Sequence, residues 1–155
     1  DELDFRFSVL PPITGLHRFG NGITKLKQVG SRIQRDVQQY ILAVIASAAD
    51  SDVVIAVRAL MEFRYLSQAP VVTTAGRDKI AAALKEFHDH KDAIITAGLR
   101  QGQKDILDHW YISKLELMQN VALSFERVGS LLQWSADTTE HAHIEVVKDP
   151  ASTTN

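Results

Sequence analysis

Cysteine is absent from the 155-residue sequence. This absence excludes disulfide bridges, cysteine-based zinc knuckles and a thiol nucleophile, and it is compatible with a reducing compartment. No apolar run approaches the roughly 20 residues that a membrane-spanning helix requires, so no membrane partner is expected. The formal net charge is only −2, which gives the molecule as a whole no strong attraction to nucleic acid or to a membrane surface.

Length and composition are those of one globular domain. Hydrophobic residues make up 45% of the chain and charged residues 23%, which is ordinary for a protein with one sizeable core. The acidic amino terminus has neither the basic start nor the apolar core of a signal peptide, so we expect an intracellular protein. The sequence does not begin with methionine, and we expect a segment of a longer protein or a processed product.

Apolar residues recur at helical spacing in four stretches, which predicts four main helices. The pair Ser31 and Gln34 has the spacing of a capping box at the start of the first helix. The second helix is apolar over most of its circumference, which is typical of a central helix. The predicted bounds are Ser31 to Ala48, Asp50 or Ser51 to Leu66, Thr74 to Ala97 before Gly98, and Ser113 to Val128 before Gly129.

Shorter elements complete an all-α prediction, an irregular bundle of four main helices plus short terminal helices. A short helix is expected at Ile23 to Val29, and a short strand or extended segment at Leu131 to Trp134. A last helix is expected at Thr138 to Lys148. The predicted organisation is an extended arm at 1–14, a helical bundle at 15–130, an extended segment with the last helix at 131–149, and a frayed tail at 150–155.

The stretch from His17 to Arg35 is the most basic part of the chain and contains no acid. A solvated helix face beside a turn explains this charge without any function, whereas the alternative is a DNA surface that contacts phosphates. Phe19 is the only aromatic residue within the stretch. Its cationic residues are Arg18, Lys25, Lys27, Arg32 and Arg35.

Histidines cluster on the third predicted helix, where His88 and Asp92 share a face. His88 and His90 point about 200° apart and cannot serve one ion from one helix. A polar helix face therefore explains the cluster better than a histidine-based metal site.

A second group of chemical residues lies near the carboxyl end, in WSADTTEHAHIEVVK. Asp137 and Glu140 have the spacing of N-cap and N3, so a helix start accounts for both acids. Glu140 and His143 share a helix face, but two ligands do not make a metal site. An acid in the first turn of a helix after an extended segment is also how several nucleases hold magnesium, and both interpretations stay open.

Several segments resemble, in one order along the chain, the C-terminal half of the Plavaka-type transposases of fungi, which are cut-and-paste elements related to the CACTA group. The most specific segment is the last one. The segments are GLHRFGNGITKLKQVGSRIQRD, VIAVRALMEFRYLSQAP, LKEFHDHKDAII, WYISKLELMQNV and WSADTTEHAHIEVVKDP.

This resemblance implies the helical insertion and the third-acid helix of a ribonuclease H-like DDE enzyme, in which three acids bind magnesium. The last segment matches the form W-[ST]-A-D-x-T-E-H-x-H, which makes Glu140 the third acid and a metal ligand. Asp137 would be the preceding acid, and His143 would lie about one turn further along the helix. Both are subsidiary candidates for the metal.

The resemblance also implies that the first two acids of the metal site are missing, because they would lie on strands before Asp1. Two-metal chemistry needs several carboxylates around ions about 4 Å apart, and Glu140 alone cannot hold them. We therefore expect a fragment or degenerate copy that is inactive by itself, with magnesium only in an intact parent enzyme and no cofactor for the isolated chain. DNA and the missing catalytic sheet, or another protein chain, would be its partners, and the nucleus its location.

The alternative belongs to a different class, a non-enzymatic helical module that binds protein. The very apolar helix from Val53 to Leu66 favours it, as does a last helix without the sheet on which it should pack.

Overall fold

The computed structural model describes residues 2–27, 29–102, 105–134 and Val146. This part of the chain contains no sheet, and only Gln101 and Ile106 form an isolated antiparallel bridge. The predicted all-α fold class with four main helices is therefore confirmed. The helices are α1 (Glu2–Ser8), α2 (Ser31–Ile45), α3 (Ser51–Ser67), α4 (Thr74–His90), α5 (Asp92–Thr96), α6 (Ser113–Val128) and α7 (Leu131–Trp134).

The chain divides into two compact units. The first combines Asp1–Glu62 with Ala83–Tyr111, and the second combines Phe63–Ala82 with Ile112–Asn155. Helices α3 and α4 contribute residues to both units because each helix continues past a unit boundary.

The expected extended arm at 1–14 is wrong, because residues 2–8 form helix α1. Such a short helix is not stable in isolation and needs tertiary contacts. Phe7 supplies them by packing in a buried cluster with Phe19 and Val44. Arg6 adds to the attachment, since its Nη1 donates hydrogen bonds to the Val44 carbonyl oxygen at 3.1 Å and to Ser47 Oγ at 2.8 Å.

The short helix predicted at Ile23 to Val29 is also wrong over its described residues, which form a turn. Asp4 holds this turn from α1. Its Oδ1 accepts the backbone N–H groups of Ile23 at 2.8 Å and Thr24 at 2.9 Å, and its Oδ2 accepts the Thr24 hydroxyl. The hydrogen bonds from Thr24, followed by that from Ile23, lower the pKa of Asp4.

Helix α2 begins at Ser31 as predicted, but the capping-box interpretation is wrong. The N-cap is Gly30, in an extended conformation with φ −70° and ψ 162°, and no side chain caps the helix. The Gly30 carbonyl accepts the N–H of Gln34 at 3.1 Å, so Ser31 lies inside the first turn.

Helix α3 matches its predicted bounds to within one residue, and it contributes many of the buried residues of the chain. The third predicted helix, in contrast, is interrupted at Lys91 and continues as α5. Its predicted end at Gly98 is confirmed. Gly98 has φ +66°, and the N–H of Leu99 bonds to the Ile94 carbonyl at 3.0 Å, which is the Schellman ending that favours glycine. The buried residues of α3 are Val53, Ala56, Ala59, Met61, Phe63 and Ser67.

In the second unit, α6 begins at Ser113 and ends before Gly129 as predicted. Its apolar residues Leu117, Met118, Val121, Phe125 and Val128 follow helical spacing, but no residue of α6 is buried and Leu117 is 65% exposed. The strand expected at Leu131–Trp134 is wrong as well. These residues form the single-turn helix α7, whose start is closed by the N–H of Gln133 donating to the Ser130 carbonyl at 2.9 Å.

The predicted helix from Thr138 to Lys148 lies outside the described residues apart from Val146, and so does the tail at 150–155. Over the part of the chain that is described, no helix combines the length and apolar character needed to cross a bilayer.

Candidate functional site

All five cationic residues of the basic stretch are exposed. We call them the basic surface: Arg18, Lys25, Lys27, Arg32 and Arg35. Between Phe5 and Ala49 the sequence contains a single acid, Asp36, and this residue is only 4% exposed. The exposed charge of this part of the first unit is therefore of one sign.

None of the five residues forms an ion pair with a carboxylate among the described residues. Arg6, Arg58 and Arg77, in contrast, are paired with carboxylates. Arg58 lies 2.9 Å from a carboxylate oxygen of Glu62 and 2.5 Å from one of Glu86. A paired guanidinium has much of its charge neutralised, whereas no described carboxylate neutralises the cations of the basic surface.

The loop before α2 holds Arg18 between two anchors. On one side, the backbone N–H of His17 donates a hydrogen bond to Asp36 Oδ2 at 3.0 Å. On the other side, Phe19 is 3% exposed and packs edge-on against Phe7, with ring centroids 5.4 Å apart. Because both neighbours are fixed, the backbone of Arg18 is fixed and its side chain points to solvent.

A cleft of about 390 Å³ lies where this loop meets the start of α2. Arg32 contacts the loop directly, since its Nη2 donates to the Gly15 carbonyl oxygen at 3.3 Å. The cleft thus combines two guanidinium groups, one imidazole and one buried carboxylate with two apolar side chains. Its lining residues are Leu16, His17, Arg18, Arg32, Ile33 and Asp36.

The start of α2 adds a smaller positive contribution to this cleft. Its first turn contains no acid, and its N-cap Gly30 provides no side-chain acceptor. The free backbone N–H groups of a helix start carry partial positive charge and favour anions. The guanidinium groups remain the main donors.

Of the sequence-predicted site residues that the structure describes, Arg18 and Arg32 line this cleft together. Lys25, Lys27 and Arg35 are exposed nearby in sequence but do not line the cleft.

The predicted metal-site residues Glu140, Asp137 and His143 all lie outside the described residues.

Sequence reasoning missed Asp36 and His17, which anchor the loop. A signal was present, because Asp36 is the one acid in a long basic and neutral stretch. An isolated acid on the apolar side of an amphipathic helix is a candidate for a buried hydrogen-bond acceptor.

The histidines on α4 have separate partners. His88 is half-buried and packs edge-on against Phe87, and its Nε2 is buried without a hydrogen-bond partner among the described residues. His90 Nδ1 lies instead 3.2 Å from Asp52 Oδ1. Burial, helped by the nearby Lys91, lowers the pKa of His88. Within the described ranges, no three side chains of histidine, aspartate or glutamate come together as metal ligands.

Comparisons with known proteins found no relative of this chain. No protein-family model, no curated protein and no solved structure matches the chain.

Proposed function

We propose that this chain is the helical insertion and third-acid segment of a Plavaka-like DDE transposase, as a fragment or a degenerate copy, and that it contacts DNA. The DNA contact is supported by the basic surface, whose five exposed cations have no ion-pair partner among the described residues. The family assignment is supported by the collinear segments that resemble such transposases and is compatible with the all-α fold.

Local charge has to drive this contact, because the whole chain carries a net charge of −2. Lysine and arginine that neutralise DNA phosphates release counterions, and each neutralised phosphate contributes about 0.9 to the slope of log affinity against log salt. The single acid of the region does not cancel the attraction, since Asp36 is one carboxylate against five exposed cations.

In this proposal Glu140 binds magnesium only in an intact parent enzyme, with Asp137 and His143 beside it. Strands from elsewhere in the parent would carry the two further acids that two-metal phosphoryl transfer requires. The isolated chain then binds DNA in the nucleus without cleaving it. Nicking of a supercoiled plasmid by the purified chain in the presence of Mg²⁺ would contradict this part of the proposal.

The test is fluorescence anisotropy with labelled duplex DNA over a series of salt concentrations. The double variant Lys25→Glu with Lys27→Glu should bind more weakly and lower the salt slope by about two. The double variant Lys79→Glu with Lys114→Glu is the matched control, because both lysines are exposed, lie outside the basic surface and change the net charge equally. Equal loss of binding in the two double variants would reject the basic surface as the DNA contact.

A helical module that binds protein is the second candidate, and helix α6 favours it. Leu117, Val121, Phe125 and Val128 follow helical spacing, yet Leu117 is 65% and Val128 49% exposed. Val121 and Phe125 are half-buried between these two exposed residues, and an apolar patch that is partly open to solvent is a candidate binding surface. Sedimentation velocity with the wild type and a Leu117→Ser variant tests it. A wild-type dimer that the variant abolishes would favour the module over the DNA contact.

A further inference from the structure

The cleft beside Arg18 is larger than a single phosphate group requires. Its volume is about 390 Å³, and it is open to solvent on one side. The cleft therefore has room for an organic group beside an anion.

The walls of the cleft are divided chemically in a way that suits such a ligand. Arg18 and Arg32 offer planar guanidinium forks, which match the geometry of phosphate oxygens better than lysine does. Leu16 and Ile33 provide apolar wall, and the His17 imidazole is a flat polar ring held edge-on against Phe19 at 5.0 Å between centroids. Clefts that bind small organic molecules commonly combine apolar wall with a few fixed polar groups.

Part of the cleft is held in place before a ligand arrives. The Gly15 carbonyl accepts a hydrogen bond from the Arg32 guanidinium, and the anchors at His17 and Phe19 hold the backbone of Arg18. Asp36 lines the cleft as well and accepts the His17 N–H, and its single negative charge offsets part of the charge of the two guanidinium groups. Preorganised donors lose less entropy on binding and therefore contribute more affinity.

We infer that this cleft binds one nucleotide unit, with its phosphate between Arg18 and Arg32 and its sugar or base against Leu16 and Ile33. This inference extends the proposed DNA contact to a specific site. It rests on that proposal, because DNA is the expected source of the nucleotide. The shared chemistry is a nucleoside phosphate, which a free mononucleotide or the phosphorylated end of a DNA strand can supply.

The experiment is calorimetric titration of the full chain with three probes: a deoxynucleoside 5′-monophosphate, the matching unphosphorylated nucleoside, and inorganic phosphate. Arg18→Gln and Arg32→Gln should each weaken binding of the monophosphate about tenfold to hundredfold, the loss expected for a charge-assisted hydrogen bond. Arg127→Gln is the matched control, because Arg127 is exposed, lies outside the basic surface and does not line the cleft. It should change the affinity by less than about threefold, since only screened long-range charge is lost. Far-ultraviolet circular dichroism confirms that each variant is folded.

Three results would overturn the inference. These are no binding of the monophosphate by the wild type, equal affinity for monophosphate and inorganic phosphate, and equal loss in Arg127→Gln and the two cleft variants. A fourth measurement compares short single-stranded DNA with a 5′-phosphate and with a 5′-hydroxyl. Preference for the phosphorylated strand over the free monophosphate assigns the site to DNA ends, and the reverse assigns it to free nucleotides.

Failure of this inference can be distinguished from failure of the proposed function. If duplex DNA binds through Lys25 and Lys27 while no monophosphate binds, only the nucleotide cleft is rejected. If the monophosphate binds but duplex DNA does not, the cleft stands and the DNA contact is rejected.

Discussion

The carboxylate of Asp36 on α2 accepts the backbone N–H of His17 across 19 positions of sequence, at 3.0 Å. This bond joins the glycine-containing loop to the helix and sets the edge of the cleft. Because the carboxylate is almost fully buried, it needs such a donor to offset the loss of water. This one hydrogen bond therefore serves both the stability of the first unit and the position of the backbone at Arg18.

Substitution of Asp36 tests this relationship. Asp36→Ala removes the acceptor and should lower the free energy of unfolding by about 1–3 kcal/mol, because the His17 N–H is left without its partner. Asp36→Asn keeps an acceptor oxygen and should cost less. Urea unfolding measures both.

Ligand binding by the same variants separates two roles for Asp36. If it positions the loop, Asp36→Ala should weaken monophosphate binding more than Asp36→Asn does. If it only repels the ligand, both variants should bind more tightly than the wild type, which would contradict the positioning role.

Replacement of Gly22 should disturb the turn that Asp4 holds. Gly22 has φ +76°, and a Cβ atom at this position would overlap the Asp4 side chain. The left-handed backbone alone costs a residue with a side chain about 1–2 kcal/mol, so thermal unfolding of Gly22→Ala should occur at a lower temperature than that of the wild type. Gly20→Ala is the control, because nothing lies within 4 Å of its added Cβ. Equal unfolding temperatures for the two variants would show that Asp4 does not constrain the turn.

The stability of the chain should depend on pH through His88. Its folded pKa lies below the ordinary value of 6.5 because burial disfavours the imidazolium, with Lys91 adding to the effect and Asp89 opposing it. Below this ordinary value the unfolded state binds more protons than the folded state, so stability is lost as the pH falls through 6.5 towards the folded pKa. Above 6.5 both states are neutral at His88 and its contribution does not change.

The variant His88→Leu should lose this part of the pH dependence. Urea unfolding of the variant and the wild type at about pH 8 and about pH 5.5 measures it, because the other five histidines are common to both proteins and cancel in the difference. The variant should gain stability relative to the wild type at the lower pH. A difference that is the same at both pH values would show that His88 is as easily protonated in the folded chain as in the unfolded one.

Local signals predicted the long helices well. Ser51, Thr74 and Ser113 are the first residues of α3, α4 and α6, and the helical segments end at Gly98 and Gly129 as expected. Such signals succeed because a helix start or stop depends on the hydrogen bonds and φ angles of a few consecutive residues.

The same local reasoning failed where partners lie far apart in sequence. Residues 2–8 carry a weak helical pattern, and α1 exists because Phe7 packs with Phe19 and Val44. The segment after Gly22 carries a helical pattern, and the Asp4 carboxylate holds it as a turn instead. Ser31 matches a capping box, yet Gly30 takes the N-cap position.

The sequence by itself determined the all-α class, the long helices and the presence of one basic stretch, because these follow from periodicity, helix-stop residues and charge counted along the chain. Only the tertiary structure decided which of the basic residues meet. Arg18 and Arg32 line one cleft because the His17–Asp36 hydrogen bond and the burial of Phe19 fold the loop against α2. Contacts of this kind depend on the packing of side chains distant in sequence, which no local pattern records.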